Sequence, residues 1–234
     1  MTDYSYIDRN VETVRKRIEQ AARSVGRDPG EITLLAAVKY AEPGEIVHLQ
    51  RCGITTVGEN RVQQFVEHSQ IEEYRNFSVH FIGTLQTNKV KYIVGKVGLI
   101  ESVDSLKLVE EIDKQSKKQG VVTDMLCEIN SGREENKSGV MPEDAEAFCA
   151  DIERFSHVKL KGFMTMAPNC EKIDEYRKYF GETYRTALDI WQKKLHNISN
   201  PIISMGMSGS FEQAILEGAT LVRVGRILFE KNKI

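Results

Sequence analysis

The sequence predicts an α/β fold: a single (β/α)8 TIM-type barrel with an extra N-terminal helix, occupying residues 1–234 as one domain. Three observations carry this expectation. Short apolar runs alternate with helical patterns until eight strands are counted. No Pro/Gly/Ser-rich linker or low-complexity stretch divides the chain. Its 234 residues, at about 150 per domain, suit one large unit. An open doubly wound sheet is the competing architecture, and the strand count favours the closed barrel.

Residues 10–24 place Val11, Val14, Ile18, Ala21 and Ala22 at helical spacing with charges opposite, which predicts the extra amphipathic helix. "ITLLAAVK" (32–39) is an apolar run short enough for a buried parallel strand, and "EPGEIVHLQRCG" after it carries Pro early and Gly late, the punctuation of a helix. The alternation recurs as "ITTVG" with a helix at 60–69, "SVHFIG" with 86–94, and "VGLIESV" with 105–120. It continues as "VVTDMLCEIN" with a helix at 142–155 and "VKLKGFM" with a long helix at 173–196. The last two units are "PIISMGM" with 211–217, and "ATLVRVG" with a short closing segment.

Composition removes several function classes. Lys and Arg total 32 against 34 Asp and Glu, a net charge of -2 that creates no broad positive field for nucleic acid. No apolar run approaches the roughly 18 residues of a membrane span, and the start "MTDYSYIDRN" lacks the basic and apolar regions of a leader, so a cytoplasmic location is expected. Cys52, Cys127, Cys149 and Cys170 form no CxxC pair, the five histidines are scattered, and no metal site is expected. No heptad or charge stripe indicates a partner, and a monomer is expected.

Barrel enzymes work at the C-terminal ends of their strands. Lys39 ends the first apolar run, where partial desolvation would make its amine a usable Schiff-base nucleophile; a snorkelling lysine is the other reading. "SMGMSGSFEQAI" and "TLVRVGRIL" close the last two strands with glycines and hydroxyls at helix starts, where such barrels bind phosphate. Ser210 and Gln213 fit a capping box, which leaves the Ser208 hydroxyl and nearby N–H groups for an anion, while Gly225 permits close backbone approach. Turn and capping chemistry explains the same residues without a ligand. An amine beside a phosphate cradle suggests pyridoxal phosphate.

The segments "AAVKY", "VGENRVQQ", "HFIGTLQTNK", "INSGREENKSG", "GFMTMAP", "MGMSGSFEQAI" and "RVGRILF" span nearly the whole chain, and their ordered set resembles the pyridoxal phosphate homeostasis protein family, itself similar to the N-terminal barrel of alanine racemase. The resemblance implies that Lys39 holds the cofactor as a Schiff base and that Asn60 lies beside its ring. Ser208 and the backbone of Gly225 and Arg226 would hold the phosphate, and Arg223 would face the pyridine nitrogen, opposing its protonation. Val38, Ser210, Arg226 and Glu230 depart from the usual family pattern. Arg226 either adds a phosphate contact or faces water. Lys137 reads as solvated surface, and at least one of Met164 and Met166 reads as core.

The resemblance implies a reversible carrier or buffer of pyridoxal 5'-phosphate that influences amino-acid and keto-acid pools, with PLP-dependent apoenzymes as possible recipients. A low-activity amino-acid racemase and a Schiff-base aldolase acting on a sugar phosphate are the alternatives. Racemisation needs a base on each face of the substrate, and in alanine racemase the second is a tyrosine from a further domain, for which this chain is expected to leave no room. Tyr40, next to Lys39, is expected to point away from it if the strand continues. Robust catalysis is therefore not expected.

Overall fold

The computed structural model describes residues 3–194 and 201–231. Eight parallel strands close into a barrel in sequence order. They are β1 (Thr33–Ala37), β2 (Thr56–Glu59), β3 (Ser78–Phe81), β4 (Leu99–Val103), β5 (Thr123–Ile129), β6 (Val158–Thr165), β7 (Ile202–Ser204) and β8 (Leu221–Val224). The pairing of β1 with β8 over Thr33–Ala36 closes the ring, so the expected barrel is the observed one.

The helices are α1 (Ser5–Ser24), α2 (Pro43–Arg51), α3 (Val62–His68), α4 (Leu106–Gln119), α5 (Ala145–Ile152), α6 (Tyr176–Lys194), α7 (Phe211–Leu216) and α8 (Arg226–Phe229). α1 begins five residues before the predicted start, because Tyr6 and Ile7 extend its buried stripe. The segment predicted as a helix at 86–94 is instead a 3-10 helix, Thr87–Tyr92. The helices predicted from 142 and 173 each open with one 3-10 turn, Pro142–Asp144 and Ile173–Glu175. The predicted end of the latter at His196 lies outside the described residues. α4 ends where Gly120 adopts φ 68, the left-handed cap that glycine takes without strain.

The main apolar core lies between barrel and helices, where Ile7, Ile46, Phe81, Ile100, Ile112, Phe163, Phe180 and Phe211 are fully or almost fully buried. Two smaller apolar groups fill the barrel itself: Leu35, Ala37, Ile82 and Leu221 on one side, and Leu99, Leu126 and Met164 on the other. The extra helix braces the last two units. Asn10 donates from Nδ2 to the carbonyls of Leu228 (3.2 Å) and Glu230 (3.0 Å), and Arg17 makes a two-pronged bond to Glu212 (2.8 and 2.7 Å) while lying over Phe211. α1 thereby fixes α7 and α8, whose first residues border the expected phosphate cradle.

Two local expectations fail for reasons of packing. Ser210 does not cap α7; its Oγ accepts from the Met207 N–H (3.3 Å), and Gln213 Oε1 is buried without a partner, so the capping box is absent. The cysteines are not all remote from histidine. His48 and Cys52 stand four residues apart at the end of α2, and both contact Asp8 of α1.

Candidate functional site

Strand pairing assembles the expected residues at one end of the barrel. β1 lies between β2 and β8, with Ala37 opposite Gly58 and Ala36 opposite Val224, so Lys39 emerges between the segment carrying Asn60 and the segment carrying Gly225. β1 stops two residues short of Lys39. Val38 still donates to the Gly58 carbonyl (3.1 Å), and the chain then turns, with the Ala41 N–H on the Val38 carbonyl (3.0 Å). Gln64 of α3 donates to the Lys39 carbonyl (2.7 Å) and holds its backbone in place.

The turn alters two expectations. Lys39 is exposed, so the desolvation predicted for a strand-end amine is not present. Because the strand does not continue, Tyr40 does not point away: the Lys39 Nζ lies 5.0 Å from the centre of its ring.

Asn60 follows β2 with its Oδ1 buried and unpartnered. A Cβ on Gly83 would fall 2.1 Å from the Asn60 carbonyl oxygen, so only glycine lets the β3 exit lie against this segment. On the other side, β7 and β8 bring Ser208 and Gly225 together, and the Gly225 N–H donates to Ser208 Oγ (3.3 Å). That hydroxyl keeps its own hydrogen for another acceptor. A Cβ on Gly225 would lie 2.9 Å from the Ala37 carbonyl oxygen, and its absence lets the β8 exit close against β1. The Arg226 side chain is exposed and pairs loosely with Glu230 (3.7 Å). Lys137 is exposed, Met164 is buried in the barrel, and Met166, beyond the end of β6, is 42% exposed.

Arg223 is buried inside the barrel. Its Nη1 donates to Ser204 Oγ (2.5 Å) and its Nη2 to the Thr165 carbonyl (2.9 Å); Glu101 Oε2 lies 3.8 Å away. Glu101 also accepts from Ser204 Oγ (2.6 Å) and pairs with His80 Nδ1 (2.7 Å). Burial alone pulls the Arg223 pKa downward, and the charges of Glu101 and Glu128 oppose that. Glu101, His80 and Ser204 carried no sequence signal beyond being polar residues inside apolar runs.

Glu128 is a further group that sequence reasoning missed. Ser138 donates to its Oε1 (2.9 Å), while Oε2 is buried without a partner. Burial pushes the carboxyl up to about 7, Asp104 adds to the rise, and the Ser138 bond and Arg223 oppose it. A folded-state pKa above the unfolded one means that the native state holds the proton longer. The stability this supplies is complete below about pH 4.5 and is lost as pH rises through 7. Glu128→Gln should therefore gain stability over wild type between pH 5 and 8, by up to about 3 kcal/mol, in urea unfolding at several pH values. A difference independent of pH would contradict a buried, titrating Glu128.

A cavity also opens at the opposite end of the barrel, lined by Thr33, Thr56, His80, Ile202 and Leu221 among others, and no lysine lines it.

The sequence matches the family described as alanine racemase, N-terminal domain, over residues 3–233. It is 42% identical over 220 residues to the pyridoxal phosphate homeostasis protein of Aquifex aeolicus, covering 94% of this chain and 96% of that one. A protein of unknown function from Bifidobacterium adolescentis superposes with a TM-score of 0.92 at 31% identity, covering 98% of both chains. PipY of Synechococcus elongatus, solved with PLP bound, superposes at 0.79 with 27% identity, covering 91% of this chain and all of that one. Strand order, residues at the strand ends and similarity along the full length agree that this chain belongs to the pyridoxal phosphate homeostasis protein family, built on the barrel of the alanine racemase N-terminal domain.

Proposed function

We propose that the protein binds pyridoxal 5'-phosphate reversibly at Lys39 and acts as an intracellular carrier or buffer of the cofactor. The observation that carries this reading is the convergence of an exposed amine, an unpartnered buried amide oxygen and a Ser208–Gly225 pair at adjoining strand ends. When bound, the cofactor supplies an aldehyde for reversible capture by an amine and a phosphate for anchoring. Lys39 provides the amine. Ser208 Oγ–H, with its oxygen held by the Gly225 N–H, and the Arg226 backbone N–H would offer donors to the phosphate. Asn60 would stand beside the ring, and Arg223 would face the pyridine nitrogen. A guanidinium in that position disfavours protonation of the nitrogen, which weakens the ring as an electron sink and favours holding over turnover.

The exposure of Lys39 suits exchange of cofactor with solvent or with an apoenzyme. The racemase alternative needs a base on the face opposite Lys39, whereas Tyr40 lies on the side of Lys39 itself. No described helix is long and apolar enough to cross a membrane, and we place the protein in the cytoplasm as a monomeric, single-domain barrel.

The test is the visible spectrum of the purified protein, followed by borohydride reduction and peptide mapping. A yellow protein with pyridoxyl mass on Lys39 is the expected result. A colourless protein that takes up no added pyridoxal phosphate would overturn the site and promote the aldolase reading, and rapid α-deuterium exchange of amino acids would overturn the carrier reading.

A further inference from the structure

We propose that Asp8, His48 and Cys52 form a zinc-type divalent cation site that clamps α1 to α2 on the outside of the barrel. Asp8 comes from the first turn of α1, while His48 and Cys52, four residues apart, project from one face at the end of α2. One donor atom from each lies within 4.8 Å of the other two. Asp8 Oδ1 is 3.0 Å from His48 Nε2 and 3.2 Å from Cys52 Sγ. A tetrahedral zinc ion, with bonds of about 2.0–2.3 Å, holds adjacent donors roughly 3.3–3.8 Å apart, so small side-chain movements admit the ion.

The donor set selects the metal. One carboxylate, one imidazole and one thiolate suit zinc or cobalt, whereas magnesium and calcium require oxygen cages. On binding, Cys52 releases its thiol proton to solvent and the ion sheds a water for each protein ligand. The resulting thiolate and Asp8 balance the two positive charges. His48 and Cys52 are half-buried and Asp8 is exposed, which leaves the fourth position open to water. The nearby cations are already engaged: Arg9 donates to Ser5 Oγ (3.1 Å), Arg15 bonds the Gly53 carbonyl (2.8 Å) and Lys16 pairs with Glu12 (2.7 Å). Tyr4 packs on the His48 ring at 5.4 Å and limits its orientation. Because α1 also holds α7 and α8, occupancy stabilises the brace behind the phosphate cradle without entering it.

The experiment uses the untagged full chain after chelator treatment. Titration with cobalt should give the visible d–d bands of four-coordinate metal at one ion per chain, and zinc should abolish them. Outer-shell partners alone are worth about 10–100-fold in affinity. Competition with a chromogenic indicator should therefore show zinc binding weakened at least about ten-fold in His48→Ala and in Cys52→Ala, and unchanged in Cys170→Ala. Zinc should raise the melting temperature of wild type and Cys170→Ala only. Should a variant fail to fold, alkylation of the wild type decides, since bound zinc must slow modification of Cys52. Absent cobalt bands, zinc affinity indifferent to His48 and Cys52, or alkylation of Cys52 at the same rate with and without zinc would each overturn the site.

Discussion

Lys39→Ala should lose all borohydride-trapped cofactor yet unfold at the wild-type temperature. No side-chain hydrogen bond or ion pair of Lys39 is found among the described residues, and its Nζ lies 5.0 Å from the centre of the exposed Tyr40 ring. Removing an exposed side chain of this kind changes stability by no more than about 0.5 kcal/mol. The Val38 ladder bond and the Gln64 bond to the Lys39 carbonyl both belong to the backbone, so alanine preserves the turn. If Ser208, Gly225 and Arg223 hold the cofactor as proposed, weak non-covalent binding should survive as a rapidly dialysed fraction. Intact stability with zero covalent label separates a loss of chemistry from a loss of fold. Stoichiometric pyridoxyl mass on another lysine in this variant would move the attachment point elsewhere.

Arg223→Met should be the most destabilising single change in the barrel interior, at about 3–5 kcal/mol. The guanidinium is 4% exposed and sits among groups from three other strands: Glu101 on β4, the Thr165 carbonyl on β6 and Ser204 on β7. Methionine fills much of the volume but leaves the Glu101 carboxylate buried with only His80 and Ser204 as partners. Breaking a buried pair on one side costs more than the pair contributes, because the remaining charge loses its compensation. For a chain of this length the melting temperature should fall by roughly 6–20 °C. Arg223→Met combined with Glu101→Gln should recover most of that loss by removing the stranded charge, and a double variant no more stable than the single would show that the two side chains are not energetically coupled.

Much of the site was legible because it sits where local signals are strong. Lys39 ends a continuous apolar run, and Ser208 and Gly225 lie in glycine-rich strand exits, so chain order and the rule for barrel active sites located them. Other signals misled. The Ser210–Gln213 spacing matches a capping box, but the turn after β7 takes the Ser210 hydroxyl for Met207 instead. Tyr40 was assigned a direction from strand alternation, and the strand ends before reaching it. The 86–94 segment has helix-like spacing yet forms a 3-10 turn between two buried strands.

The sequence by itself determined the order of elements, the eight-strand count and the places of Lys39 and of the glycine-rich loops that follow the last two strands. Each of these depends on periodicity or turn chemistry within a few neighbouring residues. Only the tertiary structure decided that His80, Glu101, Ser204 and Arg223 share one buried network, that Glu128 is held near neutrality, and that Asp8 meets His48 and Cys52. Glu101 and Ser204 are 103 residues apart, and no local pattern encodes a contact of that span. It exists because β1 pairs with β8 and closes the sheet, which turns alternate side chains of distant strands toward one common interior.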